Sequence, residues 1–516
     1  MSLLKISATD CKEKEANETL DDFNEFVYEN GKTKWGDRLC GVVLLIICSL
    51  NLIIGIFLSS NNLIDMLIEE RTKMRPGWLP MEDWKNPKHI PRIYVHVYTI
   101  ENPYNFKEGI DKKLKLKQLG PIVYGYKAQQ KDVVFEDDGT LSYTTVREFE
   151  FLKEESEPGI MNKTITIVNP AMIILAAKSG RHILQHFENI YLNNTVYHIL
   201  WNGSTKFTNL IKSGFSYLLP TDNFGLLYNT FRLFKERYNV RIGPKNKIED
   251  FWKINTLNGK TKLLHYNNFR GFDDCPFSVV NTTDGTGFPP YLTKNHTFRI
   301  SITRIPRHFI LEFEKELIDK NINTYKFTVS HENFMRTYDS KDCLGNYKGI
   351  QLPSGLIDAS TVAYDFPFAF SNPHLYGFNG EWETNIEGLS PNKEEHESYL
   401  IMEPLSGVPL RGQFGLQSNS FFGDLSSLPK LKAFSNKIVP MFWLQMKSDD
   451  FGYTTLIYYC LYWLPVLQVI VAVICLLLGV FCFYLAIKKL MILQKNDMKF
   501  NQETVKRKTE VIEYDY

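Results

Sequence analysis

The sequence is short of most features that would mark an enzyme or a nucleic-acid reader. Its 516 residues carry a net charge of only +1, so no bulk electrostatic attraction draws it to nucleic acid or to acidic partners. It has no zinc-finger spacing and no basic, aromatic-interleaved patch, which sets nucleic-acid binding aside. GxSxG, P-loop and GxGxxG motifs are absent. His182 and His186 stand four apart, yet Ile183 occupies the position where a zinc protease needs glutamate. Glu394, Glu395, His396 and Glu397 bring carboxylates beside an imidazole, but no nucleophile is spaced to meet them. No enzyme activity, metal site or cofactor follows from these residues. No repeat of solenoid or propeller period is apparent. Cysteine is scarce where it would matter. Of 8 in the chain, Cys40, Cys48, Cys460, Cys475 and Cys482 lie in or beside apolar runs, and Cys11 lies near the start. Only Cys275 and Cys343 remain in the long middle.

What the chain does have is two long apolar runs. Leu456 to Ile487 carries no charged side chain and is longer than the ~20 residues that cross a bilayer. Tyr458, Tyr459, Tyr462 and Trp463 crowd one end as interfacial rings, while Lys488 and Lys489 flank the other. Pro465 is expected to kink the outer turn without ending the span. Cys40 to Leu58 is a second run of about 19 residues, preceded by Lys32, Lys34 and Arg38. A cleaved signal peptide is the alternative for this run. The polar stretch before it and the missing small-residue cleavage site favour an uncleaved span. The basic flanks put both tails in the cytoplasm. The expected order is a cytoplasmic tail over 1–39, a span over 40–58 and an ectodomain over 59–455. A second span over 456–487 and a cytoplasmic tail over 488–516 follow.

The ectodomain carries glycosylation triplets at Asn162, Asn193, Asn202, Asn281 and Asn295. Alternating or β-branched runs recur through it: RIYVHVYTI, LKLKQL, PIVYGYKA, LSYTTVREFEFL, TFRISITRI and TYKFTVS. Turn residues such as Asp137 to Gly139 separate many of them and predict hairpins of an antiparallel sheet. Helices are predicted over Ala171 to Asn193 and over Leu226 to Tyr238. Strands with an inserted helical block indicate an α+β fold. Cys275 and Cys343 form one disulfide or stay as two thiols. An oxidising compartment favours the bridge, whose loop of about 69 residues would contribute about 4 kcal/mol in the chain-entropy model.

Several segments together resemble the class B scavenger receptor family. Glu101–Asn102–Pro103 followed by Leu114 to Tyr124 (LKLKQLGPIVY) is similar to the family's N-P…K-x-x-G-P-Y block. Asn281 to Pro290 (NTTDGTGFPP) is similar to its N-G-T-D…F-P-P block. Gly388 to His396 (GLSPNKEEH), leading into Tyr399 to Gly407 (YLIMEPLSG), resembles its G-L-x-P-x-x-x-x-H…Y-x-x-x-E-P-x-x-G signature. Ile438 to Leu444 (IVPMFWL) precedes the second span as in the family. The resemblance covers about Leu44 to Leu485.

The resemblance implies two spans flanking an antiparallel, β-barrel-like ectodomain with a membrane-distal helical head and an apolar tunnel. Such a tunnel spares lipid its exposure to water, which costs about 0.8 kcal/mol per CH₂. The implied partners are fatty acids, sterols, phospholipids or lipoprotein-like particles, with a protein ligand at the head as a further case. Head candidates are Lys178, Arg181, His182, His186, Lys206 and Lys212, for each of which a solvated helix face is the alternative. Cys275 and Cys343 fit one family disulfide, whereas the cysteines for the others are missing. Cys40 and Cys482, close to the inner membrane surface, are candidates for palmitoylation of the kind that tail cysteines of relatives carry, with buried apolar thiols as the alternative. The expected function is a non-enzymatic cell-surface or endolysosomal receptor that binds lipids or lipid-carrying particles and passes lipid toward the membrane, the absence of an endolysosomal sorting motif favouring the plasma membrane. The competing readings are a two-span ligand-gated channel subunit, whose cysteine-dense ectodomain is not matched here, and a receptor for protein cargo on the same fold.

Overall fold

The computed structural model describes residues 28, 35–36, 38–169, 189–203, 223, 225–231, 235–243, 245–263, 277–302, 307–334, 346–347, 350–360, 367–378, 380–429 and 431–514. Two compact units emerge. One takes residues up to Leu67 and from Tyr459 onward, and the other runs Ile68–Tyr458.

The first unit holds the helix Arg38–Ser60 and most of the helical stretch Thr454–Lys506, both long and apolar enough to cross a bilayer. Only 17% of the most apolar window of each is buried, the disposition of a lipid-facing helix and not of a core helix. The two pack through small residues. A Cβ on Gly55 would lie 2.8 Å from the Leu476 side chain, and one on Gly479 would lie 2.8 Å from the Leu52 side chain. Such glycines let helix backbones approach closely in lipid. The Gln468 carboxamide donates to the Leu58 carbonyl at 2.7 Å and accepts from the Leu63 N–H at 3.3 Å. Ahead of Pro465 the helix widens into a π-turn at Tyr459–Trp463, which accommodates the missing proline N–H without ending the helix.

The second unit is built on one meander. Its strands are β1 (Arg92–Ile100), β2 (Leu114–Phe135), β3 (Thr140–Phe151), β4 (Lys235–Arg241), β5 (Ile254–Leu257), β6 (Thr297–Ile302), β7 (Arg307–Asp319), β8 (Ile322–Val329), β9 (Tyr399–Glu403), β10 (Val408–Phe421) and β11 (Ile438–Ser448). The order across the sheet is β6-β7-β8-β9-β10-β11-β1-β2-β3-β4-β5, with every neighbouring pair antiparallel. Strands that follow one another in sequence thus lie side by side, and β11 returns to pair with β1. Ile93, Val95 and Val97 of β1 point inward while Tyr94 and His96 alternate with them, the period-two pattern read from RIYVHVYTI. The Asp137 to Gly139 turn joins β2 to β3 as expected.

The expected antiparallel, barrel-like sheet is present, and it is not a closed barrel: among the described residues the edge strands β5 and β6 are not paired with each other. A short irregular segment stands between them instead. The Ile254 N–H donates to the Thr282 carbonyl at 2.7 Å and the Asn281 N–H to the Ile254 carbonyl at 3.0 Å. On the other side the Thr283 N–H donates to the Arg299 carbonyl, and the Ser301 N–H to that of Thr283, both at 2.8 Å. A sheet whose two edges bond one three-residue segment must curl around its contents. Among the described residues the buried apolar side chains group in three clusters, one around Val95 and Leu375, one around Tyr143 and Trp252 and one around Phe309 and Phe327, with Phe370 packed against the first and the third.

Two predicted helices are also corrected. Of Ala171 to Asn193, residues 171–188 lie outside the described residues, but Tyr191 to Asn193 belong to the strand Tyr191–Thr195, which pairs with Thr164–Val168. Among the described residues of Leu226 to Tyr238, only Tyr228–Phe231 is helical, and Lys235 onward is β4. There KERYNVR alternates, burying Glu236, Tyr238 and Val240, and pairing along β3 overrides its local helix propensity.

Candidate functional site

The sequence blocks that carry the family resemblance converge on two structural nodes. At the first, Glu403 is almost fully buried, and its carboxylate accepts from the N–H of Leu405 (2.8 Å), the N–H of Ser406 (2.6 Å) and the Ser406 hydroxyl (2.5 Å). The turn so fixed presents its carbonyls to the F-P-P block: Leu292 N–H donates to Pro404 at 2.7 Å and Tyr291 N–H to Leu405 at 3.0 Å. Gly407 has φ +68°, and a Cβ there would lie 2.0 Å from the Pro289 carbonyl, so both conformation and space call for glycine. Arg71, which no motif marks, completes the node. Its Nη2 donates to the Ser406 carbonyl at 2.6 Å and to the Phe288 carbonyl at 3.2 Å. Burial pulls the guanidinium down to about 10, against the attraction of the Glu403 charge, and it stays cationic at neutral pH.

The second node gathers three imidazoles. Gly388, at φ +98°, passes so close to β2 that a Cβ would meet the Leu116 carbonyl at 1.9 Å. The chain then delivers the Ser390 N–H to His374 Nδ1 (3.0 Å) and the Asn392 N–H to His396 Nδ1 (2.9 Å). The opposite nitrogen of His374 lies 2.7 Å from Gln118 Oε1, which also takes the Trp443 indole N–H at 2.8 Å. His374 therefore carries its proton on Nε2. The His374 and His396 rings stack at 4.4 Å and 15°, and His96 stacks on Trp443 at 4.2 Å and 10°. Asn392 caps the short helix Lys393–His396 by accepting from the Glu394 N–H at 2.7 Å. Burial pushes His374 down to about 3 and His96 to about 4, helped in each case by the His396 charge. His396 is lowered by burial too, against Glu395. All three rings are neutral at pH 7.

The node explains why Glu394, Glu395, His396 and Glu397 form no catalytic cluster. His396 turns inward at 2% exposure while the Glu395 side chain stands 73% exposed. Glu397 is engaged by Lys326 at 2.5 Å. Among the described residues no three His, Cys, Asp or Glu side chains are placed to hold a metal ion.

The remaining site expectations fall as follows. Asn162, Asn193, Asn202, Asn281 and Asn295 are all exposed. Asn281 and Asn295 share the lining of a cleft of about 280 Å³, which mixes Phe251 and Phe298 with Glu249 and Arg299 and so is not an apolar path. Cys40 is exposed and Cys482 partly so, both unbridged. Lys178, Arg181, His182, His186, Lys206 and Lys212 lie outside the described residues, as do Cys275 and Cys343. Sequence reasoning passed over Arg71, His96 and His374. A lone arginine beyond a span and two histidines in apolar runs carry no spacing signal, and only the fold brings them to their partners.

Comparison with known proteins matches the CD36 family over residues 40–490. Lysosome membrane protein 2 of Mus musculus is 24% identical over 414 residues, covering 78% of this chain and 83% of that protein. Scavenger receptor class B member 1 of Sus scrofa is 22% identical over 436 residues, covering 81% and 82%. Sensory neuron membrane protein 1 of Apis mellifera is 25% identical over 419 residues, covering 74% and 78%.

Proposed function

Because the chain belongs to the CD36 family, we propose that this class B scavenger receptor binds lipids or lipid-carrying particles and passes lipid through its ectodomain toward the membrane. One observation carries the reading beyond family membership. The eleven-strand meander curls until both edges bond the segment 281–283. A sheet curled in this way can wall an apolar path, and a walled path spares each acyl CH₂ about 0.8 kcal/mol of exposure to water.

In this reading residues 59–455 form the ectodomain, and both termini lie in the cytoplasm of a cell with the receptor at its plasma membrane. Asn162, Asn193, Asn202, Asn281 and Asn295 carry glycans, Cys275 pairs with Cys343, and Cys40 and Cys482 accept palmitate. The segment holding Lys178, Arg181, His182, His186, Lys206 and Lys212 meets the ligand. No enzymatic step is involved. The family match leaves the two-span channel reading without support.

The test is lipid retention. The full chain is purified and placed in nanodiscs made only of deuterated phospholipid, and native mass spectrometry reads what light lipid remains. Near-stoichiometric host fatty acid, sterol or phospholipid is the expected outcome. Discs that hold deuterated lipid alone, and that refuse added fluorescent fatty acid and sterol, would turn the reading toward protein cargo.

A further inference from the structure

We propose that the imidazole node is an acid-operated latch, which holds the segment Gly388–Glu397 against β1, β2 and β11 at neutral pH and releases it in an acidic compartment. Hydrogen-bond polarity makes the fastening sensitive to acid. Ser390 N–H and Asn392 N–H both donate to imidazole Nδ1 atoms. A neutral imidazole has one acceptor nitrogen, and an imidazolium has none. Protonation of His374 or His396 would therefore place N–H against N–H at each of the two points where the segment is fastened. The ring stacking adds to this, because a second proton would set two like charges 4.4 Å apart.

The groups around the node offer little relief. From β1 come His96 and the Tyr98 hydroxyl, which donates to Gln417 of β10 at 3.0 Å. From β2 comes Gln118, already accepting from His374 and Trp443. From β11 come Trp443 and Gln445, whose amide donates to the Glu395 carbonyl at 2.6 Å. β10 adds Gln413, donating to the Glu397 carbonyl at 2.8 Å. Two carboxylates face the rings. Glu157, which accepts from the Gly120 N–H at 2.9 Å and is paired with Lys163, favours a charge on His96. Glu395 lies 3.8 Å from His396 Nε2, but its side chain is 73% exposed and screened. Glu394 and Glu397 are held by the short helix and by Lys326 and Lys393. Among the described residues no carboxylate reaches His374.

The sign follows from linkage. These imidazoles bind protons less readily when the latch is closed than when it is open. Closure is fully favoured above about pH 6.5 and is lost as pH falls toward the closed-state value of about 3 for His374. Between pH 7.4 and 5, His374 alone shifts the open fraction by roughly 30-fold, and His396 adds to it in the same direction. The latch operates whatever ligand the ectodomain carries.

Hydrogen exchange on the full chain in detergent tests the proposal, with protection factors compared at pH 7.4 and pH 5. Protection of the Ser390 and Asn392 amides should fall by about 30-fold or more while the β1–β2 ladder keeps its own. The double variant His374→Gln/His396→Gln supplies acceptors that do not titrate, and its segment should show the same protection at both pH values. A wild-type segment that stays protected at pH 5, or a loss shared equally by the β1–β2 ladder, would overturn the latch. An equal loss in the double variant would overturn it as well.

Discussion

Replacing Arg71 by Met should lower the melting temperature of the purified full chain by roughly 5 °C, read by intrinsic tryptophan fluorescence. The methionine side chain retraces the arginine stem as far as Nε, so the change removes the guanidinium head and little aliphatic packing. Two carbonyls, those of Phe288 and Ser406, lose their donor, and the buried Glu403 carboxylate loses the cation that its charge stabilises. Removing one partner from such a set costs about 3 kcal/mol, because the groups left behind have already given up water. Arg71→Lys should fall between the two proteins, since an ammonium keeps the charge but not the planar fork that reaches both carbonyls. A methionine variant that melts within about 1 °C of wild type would show that Glu403 is satisfied by its own turn alone.

Gly388→Ala is the second large effect. The new methyl would sit 1.9 Å from the Leu116 carbonyl, a rigid backbone atom in β2, and the residue would be held at φ +98°. The conformation alone costs on the order of 1–3 kcal/mol, and the clash adds to it because a ladder strand does not yield as a flexible side chain does. Gly159→Ala is the matched control. It has φ +71° with nothing within 4 Å of the added atom, so it should lose only about 1 kcal/mol. Gly388→Ala should also unfasten the segment behind it, so that Ser390 and Asn392 exchange quickly even at pH 7.4. Unchanged exchange at those two amides, with melting equal to that of Gly159→Ala, would mean the close approach to β2 does not set the segment.

Much of this architecture was legible in the chain. The strands of the meander follow alternation that any reader of RIYVHVYTI or TYKFTVS can see, because a half-buried strand must present apolar residues every second position. The spans were legible from length alone. The order in which strands lie side by side was not, since the pairing of β11 with β1 joins residues near opposite ends of the ectodomain. Lys235–Arg241 misled for a related reason. Its residues favour a helix locally, and only its register against β3 makes it a strand.

The candidate site was legible as motif but not as geometry. Glu403 and Gly407 stood out in the signature, and their roles as a turn and a close approach agree with the residue types. His396 stood out with a misleading set of carboxylate neighbours. Its true partners, His374, His96 and Trp443, come from three other elements, and stacking of neutral rings leaves no spacing in the sequence. Arg71 lies far in sequence from the carbonyls it serves, and so nothing local announces it.

The central claim, passage of lipid through the ectodomain into the membrane, is tested most directly by transfer into vesicles. The full chain is reconstituted into liposomes, donor particles carrying a fluorescent, non-hydrolysable sterol ether are added, and arrival of the probe in the bilayer is timed. The account expects transfer several times faster than into protein-free vesicles, and slower with Gly388→Ala. Particles that bind the protein-bearing vesicles while the probe enters no faster than into bare lipid would contradict it.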